Sequence, residues 1–380
     1  MERVTRRDLL KTAAAGVGAA VLGANARAQD AKRRVRVAAV QMHATLGEVD
    51  ANLEHAEHWA RLALRDGAQW VVLPEFFTTA IALHPSKLVH AYRPLDGAPM
   101  QLFKKLATEG HAYVGGSFIA RSGADVFNTF VLATPSGRVF THDKDFPTTN
   151  IESSVYAGGE DDEYLKELKR LGVSAEPAAP IPSRPDNITD SVFAVADGVS
   201  AGVALCWEQV RYRTAKRLTR RVDVILAASG WPFGAANRNV SRTNPAAANA
   251  VLDAGESVRE APRRLSRLVG APVIHANLVG DVWNSPGSLY GDSESLLRFS
   301  GESQIIDASG KTVARRAYAE GEGLVIAEIE IGRVEPTESI PANAWWTPEV
   351  SEPSQVRWAS SGAAGRSVYL KTTRPQRNTT

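Results

Sequence analysis

Short β-branched apolar runs alternate with longer stretches of helical apolar period along most of this chain, and that alternation restricts it to an α/β architecture. Residues 35–41 (VRVAAVQ), 69–73 (QWVVL) and 112–118 (AYVGGSF) read as buried strands. Between the first two, Asp50 can cap a helix reaching residue 66, with Leu53, Ala56, Ala60 and Leu64 on one face and Gly67 as its stop. A shorter helix is expected over 100–108, and 126–134 with 138–142 flank Pro135-Ser136-Gly137 as a hairpin. Strands follow at 192–196 and 202–205; a basic helix at 208–220 then leads into a strand at 222–227. A helix at 261–268 precedes a strand at 272–277, and 302–307, 312–316 and 324–331 complete the strands. Residues 160–190 begin acidic, become Pro-rich and read as an insertion or surface loop. Residues 336–380 have little periodicity but carry Trp345, Trp346, Trp358 and Tyr369, which a disordered tail usually lacks. They read as an arm packed on its own domain or on a partner subunit.

The first 28 residues form a separate unit. Thr5-Arg6-Arg7-Asp8 precedes a weakly apolar Ala/Gly-rich run over 12–24 and the small-x-small pattern Ala26-Arg27-Ala28. The run is too short to anchor in a bilayer, and the Arg pair resembles the export signal of the twin-arginine pathway. The expectation is an exported, periplasmic protein with cleavage near Ala28 and no stable membrane anchor. The segment carries a surplus of three positive charges, so without it the formal charge falls from +2 to −1. A nearly neutral chain with no basic stripe interleaved with aromatics gives nucleic-acid binding no support. The domain reading is therefore 1–28 signal, 29–335 one α/β domain, and 336–380 the arm.

The chain has one cysteine, which rules out an internal disulfide and a Cys-rich metal site. That residue, Cys206, ends the apolar run Gly202-Val203-Ala204-Leu205, where a strand delivers a side chain to the sheet edge. The first amides of a following helix would favour a thiolate there, and the Trp207 N–H could bind an oxyanion. Glu75 ends another apolar run, Val71-Val72-Leu73-Pro74, beside Phe76 and Phe77; such a carboxylate has a raised pKa and can serve as a general base. Lys144 follows the hairpin strand, and Glu152 lies eight residues on, placed to orient the ammonium or a substrate amine. Trp207 can be core or pocket wall, Glu208 can contact substrate or a neighbouring subunit, and Trp231-Pro232 occupies a usual pocket-lining position. His142 and His275 read as structural, since no metal-ligand spacing is present.

Leu73-Pro74-Glu75-Phe76, Lys144 with Phe146-Pro147-Thr148 and Glu152, and Cys206-Trp207-Glu208 together resemble the nitrilase (carbon–nitrogen hydrolase) superfamily, over about residues 35–335. The resemblance implies an α-β-β-α sandwich that often pairs into a dimer or higher homo-oligomer. It implies Glu75 as base, Lys144 as oxyanion stabiliser, Cys206 as nucleophile and Glu152 as a second, positioning carboxylate, with no cofactor and no metal. Lys144-x-x-Pro147-Thr148 and Cys206-Trp207-Glu208 lean toward the nitrilase branch and related amidases, while Gln209 stands where nitrilases usually carry Asn. The implied activity is hydrolysis of a small amide, carbamoyl or nitrile compound through a thioester. Acyl transfer to an amine and a non-catalytic binding protein on the same scaffold are the competing readings. Replacing Arg6 and Arg7 together with Lys is expected to leave the protein in the cytoplasm; cell fractionation showing undiminished export would overturn the signal reading.

Overall fold

The parallel strands at the centres of two mixed sheets end at one edge of the molecule, while antiparallel neighbours return the chain beside them. The computed structural model describes residues 33–374 apart from 83, 197, 238–244, 285–294, 343 and 348–349, with the backbone alone at 233–237, 245–254, 284 and 295. The expected signal segment lies outside the described residues.

The first sheet contains β1 (Arg33–Gln41), β2 (Trp70–Glu75), β3 (Arg93–Pro94), β4 (Tyr113–Ser122), β5 (Asp125–Ala133), β6 (Val139–Asp143) and β16 (Gly323–Ile331), in the order β16-β1-β2-β4-β5-β6 with β3 on β4. β1, β2 and β4 are parallel, while β5 and β6 return antiparallel. The second sheet contains β7 (Val192–Ala196), β8 (Val199–Leu205), β9 (Val224–Ser229), β11 (Val273–Asn277), β14 (Ser303–Ile306) and β15 (Thr312–Arg316), in the order β15-β14-β11-β9-β8-β7. Its centre, β8-β9-β11, is parallel. A small third sheet pairs β10 (Pro232–Asn237), β13 (Ser295–Ser300) and β12 (Val279–Asn284).

Alternation along the strands builds the layers. Val37, Ala39, Trp70 and Val72 from the first sheet meet Val203, Leu205, Leu226 and Ile274 from the second, forming the inter-sheet core. The opposite faces, Ala38, Val40, Val71 and Leu73, pack under α1 (Val49–Arg65) and α2 (Ala98–Gly110). Ala204, Ile225, Ala227 and Val273 pack under α5 (Tyr212–Leu218) and α6 (Pro245–Val269). Two mixed sheets flanked by helices is the α-β-β-α sandwich expected from the sequence.

Four features depart from the sequence-based reading. Asp50 lies inside the first turn of α1 rather than capping it, because Glu48 occupies the cap position; Gly67 does close the helix, at φ 79°. β2 continues through Pro74 to Glu75, since a register shift between Val72 and Glu75 spares the missing N–H a ladder bond. The stretch 160–190, expected to be irregular, contains α4 (Asp161–Arg170), with acidic residues in its first turn and Lys169 and Arg170 in its last. The terminal stretch contains α7 (Glu352–Val368), whose small residues Ala359, Gly362, Ala363 and Gly365 form its buried face. A Cβ on Gly365 would collide with Ser153 Oγ, and one on Gly362 would meet the Tyr164 hydroxyl. Close approach, not hydropathic contrast, selects those residues, so the helix has almost no amphipathic signature.

Leu226 lies fully buried between the sheets. Leu226→Ala is expected to cost about 2–5 kcal/mol of unfolding free energy in a urea titration; a change below about 1 kcal/mol would show that the sandwich core is not tightly packed there.

Candidate active site

Three strand ends converge. β2 ends on Glu75, Lys144 follows the last residue of β6, and β8 hands the chain to Cys206. The first two belong to one sheet and the third to the other, so packing of the sandwich itself sets their separation. At both Glu75 and Cys206 the backbone turns sharply: Phe76 has φ 58° and Cys206 has φ 46°. Non-glycine residues in this left-handed region are strained and persist only where the surroundings hold them. The turn at Cys206 lifts its side chain out of the sheet, as in strand–turn–helix nucleophile elbows.

Glu75 Oε1 accepts from Lys144 Nζ at 2.9 Å and from Asn128 Nδ2 at 2.7 Å, and Oε2 accepts the Gly230 N–H at 2.8 Å. The Glu75 carboxylate and the Lys144 ammonium both act electrostatically on the buried Cys206 thiol. Lys144 Nζ donates on its other side to Glu152 Oε2 at 2.7 Å, an oxygen that also accepts the Thr148 N–H at 2.7 Å and the Tyr156 hydroxyl. The structure thus brings Glu75, Lys144, Glu152 and Cys206 together in one buried cluster. Glu152 sits on α3 (Thr149–Ser153), a single turn packed against α7.

Two carboxylates around one ammonium leave an excess of negative charge with no bulk water to solvate it. Burial pushes Glu75 above the ordinary carboxylate range, with Lys144 opposing and Glu152 reinforcing the shift. Burial alone would lower the Lys144 ammonium, but Glu152 and Glu75 outweigh it and keep the group charged. Cys206 is pushed well above the free-thiol range by burial and then by the Glu75 charge. Burial and the Glu75 charge therefore oppose a thiolate at Cys206, against the helix-amide effect expected from the sequence. The expected long helix after Cys206 is also divided into a 3-10 turn, Cys206–Val210, and the short α5. Arg211 is extended between them and forms an antiparallel bridge to Trp346.

Glu208 is fully buried, and its carboxylate faces the interior. Oε1 accepts the Asp145 N–H and Oε2 the Leu205 N–H, both at 2.8 Å, and His142 Nε2 lies 3.1 Å from Oε1. Burial would raise this carboxyl, but His142 and Arg217 hold it well below its ordinary range, and Glu208 in turn raises His142 against the effect of burial. Glu208 therefore ties the residue after Lys144 to the residue before Cys206. Gln209 donates to Ser229 Oγ at 2.9 Å, which links the turn after Cys206 to the end of β9. His275, driven down to about 3 by burial, lies 3.0 Å from the same hydroxyl. Trp207 is half-buried and packs edge-on against Trp346 and Trp358.

The carbon-nitrogen hydrolase family profile matches residues 36–339. The chain belongs to the carbon-nitrogen hydrolase family. It is 31% identical over 93 residues to a cyanide hydratase of Stereum hirsutum, a stretch covering 22% of this chain and 25% of the relative. It is 30% identical over 105 residues to a nitrilase of Pyrococcus abyssi, covering 27% and 40%. These matches thus span less than half of each relative's own length. Among solved structures, the fold is similar to a carbon-nitrogen hydrolase superfamily protein of Xanthomonas campestris carrying an arsenic adduct in its active site. That likeness has TM-score 0.52 and 19% identity, covering 78% of this chain and 91% of that one. The NitN amidase of Nesterenkonia sp. AN1 gives TM-score 0.51 at 16% identity, covering 77% and 92%.

Within this carbon-nitrogen hydrolase site, sequence reasoning missed Asn128, Tyr156 and the Gly230 amide. Asn128 interrupts the buried run of β5, a polar residue that needs an interior partner. Tyr156 follows Glu152 by one helical turn, which offered a weaker signal. Nothing local marks Gly230, whose contribution is a backbone N–H. Glu208→Ala is expected to cost about 3–5 kcal/mol, because it orphans two buried N–H groups and leaves buried His142 without its carboxylate. A thermal unfolding midpoint equal to that of the parent protein would contradict the tie.

Proposed function

We propose that this carbon-nitrogen hydrolase cleaves a small amide, carbamoyl or nitrile compound through a thioester on Cys206, in the exported compartment addressed by its amino-terminal segment. The observation that carries this reading is the buried cluster in which a carboxylate, Glu75, held by the Lys144 ammonium at 2.9 Å, acts on the buried Cys206 thiol. The family acts on small amide and nitrile substrates. Relatives named for nitrile and cyanide chemistry and neighbours named amidase keep both bond types within the proposal.

For an amide, Glu75 takes the thiol proton as the sulfur attacks the carbonyl carbon. The oxygen gains negative charge, and two donors are placed to meet it. Lys144 Nζ spends two N–H groups on Glu75 and Glu152, leaving a third. The Trp207 N–H lies in the first turn after a strand, where helical amides have no intrahelical acceptor. As the carbon–nitrogen bond breaks, Glu75 passes its proton to the leaving nitrogen, and an amine or ammonia departs. Water then attacks the thioester; Glu75 removes its proton and returns one to the sulfur as the acid leaves. A carboxylate raised by burial can both accept and donate in this cycle. Glu152 keeps Lys144 charged and aimed.

Incubation with a substrate panel followed by mass spectrometry is expected to give an acyl adduct confined to Cys206 that is discharged by water. Discharge only by an added amine would make the enzyme an acyltransferase, and turnover by Cys206→Ala would eliminate the nucleophile. Lys144→Ala is expected to lower kcat by about 10²–10³. Because Glu75 must be ionised to act and its pKa is raised, kcat/KM is expected to fall on the acid side above the ordinary Glu range of about 4.3. Glu152→Gln, which removes a neighbouring negative charge, should move that limb to lower pH; a shift upward would contradict the electrostatic scheme.

A further inference from the structure

The family match ends at residue 339, and the chain beyond it comes back to the turn that carries Glu152. That turn, α3, cannot hold its own shape. It is five residues long, far below the length at which a helix sustains itself. Thr149 enters it in the left-handed region at φ 54°, and among the described residues Thr148 makes no side-chain cap bond. The carboxylate on α3 is set by its immediate neighbours. Besides Lys144, the donors to Glu152 Oε2 are the Thr148 N–H and the Tyr156 hydroxyl, which flank the turn on either side. Where α3 goes, Glu152 goes.

The last part of the chain supplies what α3 lacks. A first-turn N–H of a helix has no intrahelical acceptor, and a last-turn carbonyl has no intrahelical donor. Asn150, two residues before Glu152, donates its N–H to Ser361 Oγ at 3.1 Å, and the same hydroxyl donates to Asn150 Oδ1 at 2.9 Å. Ser154, two residues after Glu152, accepts at its carbonyl from Thr373 Oγ1 at 2.7 Å. Between these contacts α7 lies directly on the turn at Gly365. A Cβ there would collide with Ser153 Oγ and come within 2.7 Å of Asn150 Cα and O, so only glycine permits the approach. The terminal stretch is itself anchored elsewhere in the fold. Arg366 is buried against Asp161 at 2.8 Å and donates to Ala179 O, while Tyr369 and Arg374 hold Asp125 at 2.8 and 2.9 Å.

We propose that residues 351–374 form an intramolecular clamp that fixes the Glu152 carboxylate against Lys144, with Ser361, Gly365 and Thr373 as positioning residues for the chemistry at Cys206. The proposal rests on the hydrolytic reading above and extends its machinery to chain outside the matched family profile. Glu152 acts as a charge as well as an acceptor, since it raises both Glu75 and Cys206. A turn released from α7 withdraws that charge from both groups and leaves Lys144 held by Glu75 alone.

The single cysteine lets alkylation by iodoacetamide report Cys206 alone, with no turnover required. In full-length Gly365→Ala protein the pH of half-maximal alkylation rate is expected to fall by about half a unit or more, in the same direction as in Glu152→Gln. The double variant is expected to show little further shift, because both changes remove the same contact. An unmoved midpoint in folded Gly365→Ala, or a shift that adds in full to that of Glu152→Gln, would overturn the clamp; α7 would then stabilise the fold without setting the carboxylate. With an amide that the parent enzyme turns over, kcat in Gly365→Ala is expected to fall about tenfold at nearly constant KM, and little further once Glu152→Gln is present. Should Gly365→Ala fail to fold, Ser361→Ala and Thr373→Val, which remove only the hydrogen bonds at the two ends of α3, supply the same comparison. Coupled alkylation shifts with no amide or nitrile turned over would instead sink the hydrolytic reading and leave the clamp standing.

Discussion

The site depends on one ammonium buried between two carboxylates. Removing Lys144, Glu75 and Glu152 from water is costly, and mutual attraction offsets that cost only when the remaining hydrogen-bonding capacity is filled. Here it is filled from four directions: Asn128 and the Gly230 amide on Glu75, and Tyr156 and the Thr148 amide on Glu152. The cluster still carries more negative than positive charge. Burial, and then the Glu75 charge, push the Cys206 thiol up, and burial, opposed by Lys144 and reinforced by Glu152, raises Glu75. In the proposed mechanism the cysteine is activated by a neighbouring base at the moment of attack rather than stored as a thiolate.

The fold meets this demand through layer packing. Glu75 and Lys144 belong to one sheet, while Cys206 and Gly230 belong to the other. The inter-sheet core of Trp70, Val72, Leu205 and Leu226 holds the two edges at a fixed distance. Below the reacting groups, Glu208 fastens the loop after β6 to the end of β8. α7 and the chain beyond it close the assembly, with the Tyr369 hydroxyl donating to Asp125 and accepting the Val126 N–H, and Thr373 bonded to Ser154 O.

Much of this was legible because polar residues with chemistry to perform end apolar strands, where neither core packing nor turn formation asks for them. Glu75 after Val71-Val72-Leu73-Pro74 and Cys206 after Val203-Ala204-Leu205 stand out for that reason. The inter-sheet layer was readable from β-branched runs with period two. Hydropathy does not report tertiary hydrogen bonds, so Gly230 and the inward turn of Glu208 were hidden. The break at Arg211 arises from pairing with Trp346, 135 positions away in sequence, and no local window contains it. α7 escaped notice because its contact face is made of glycine and alanine.

Since the chain has a single cysteine, the absorbance of its thiolate near 240 nm followed against pH reports Cys206 alone and tests this charge balance most directly. The account predicts no ionisation step at or below the free-thiol value of about 8.5, and a step displaced downward in Glu75→Gln, where the adjoining negative charge is gone. A thiolate already formed at neutral pH, or a step that moves upward in Glu75→Gln, would contradict it.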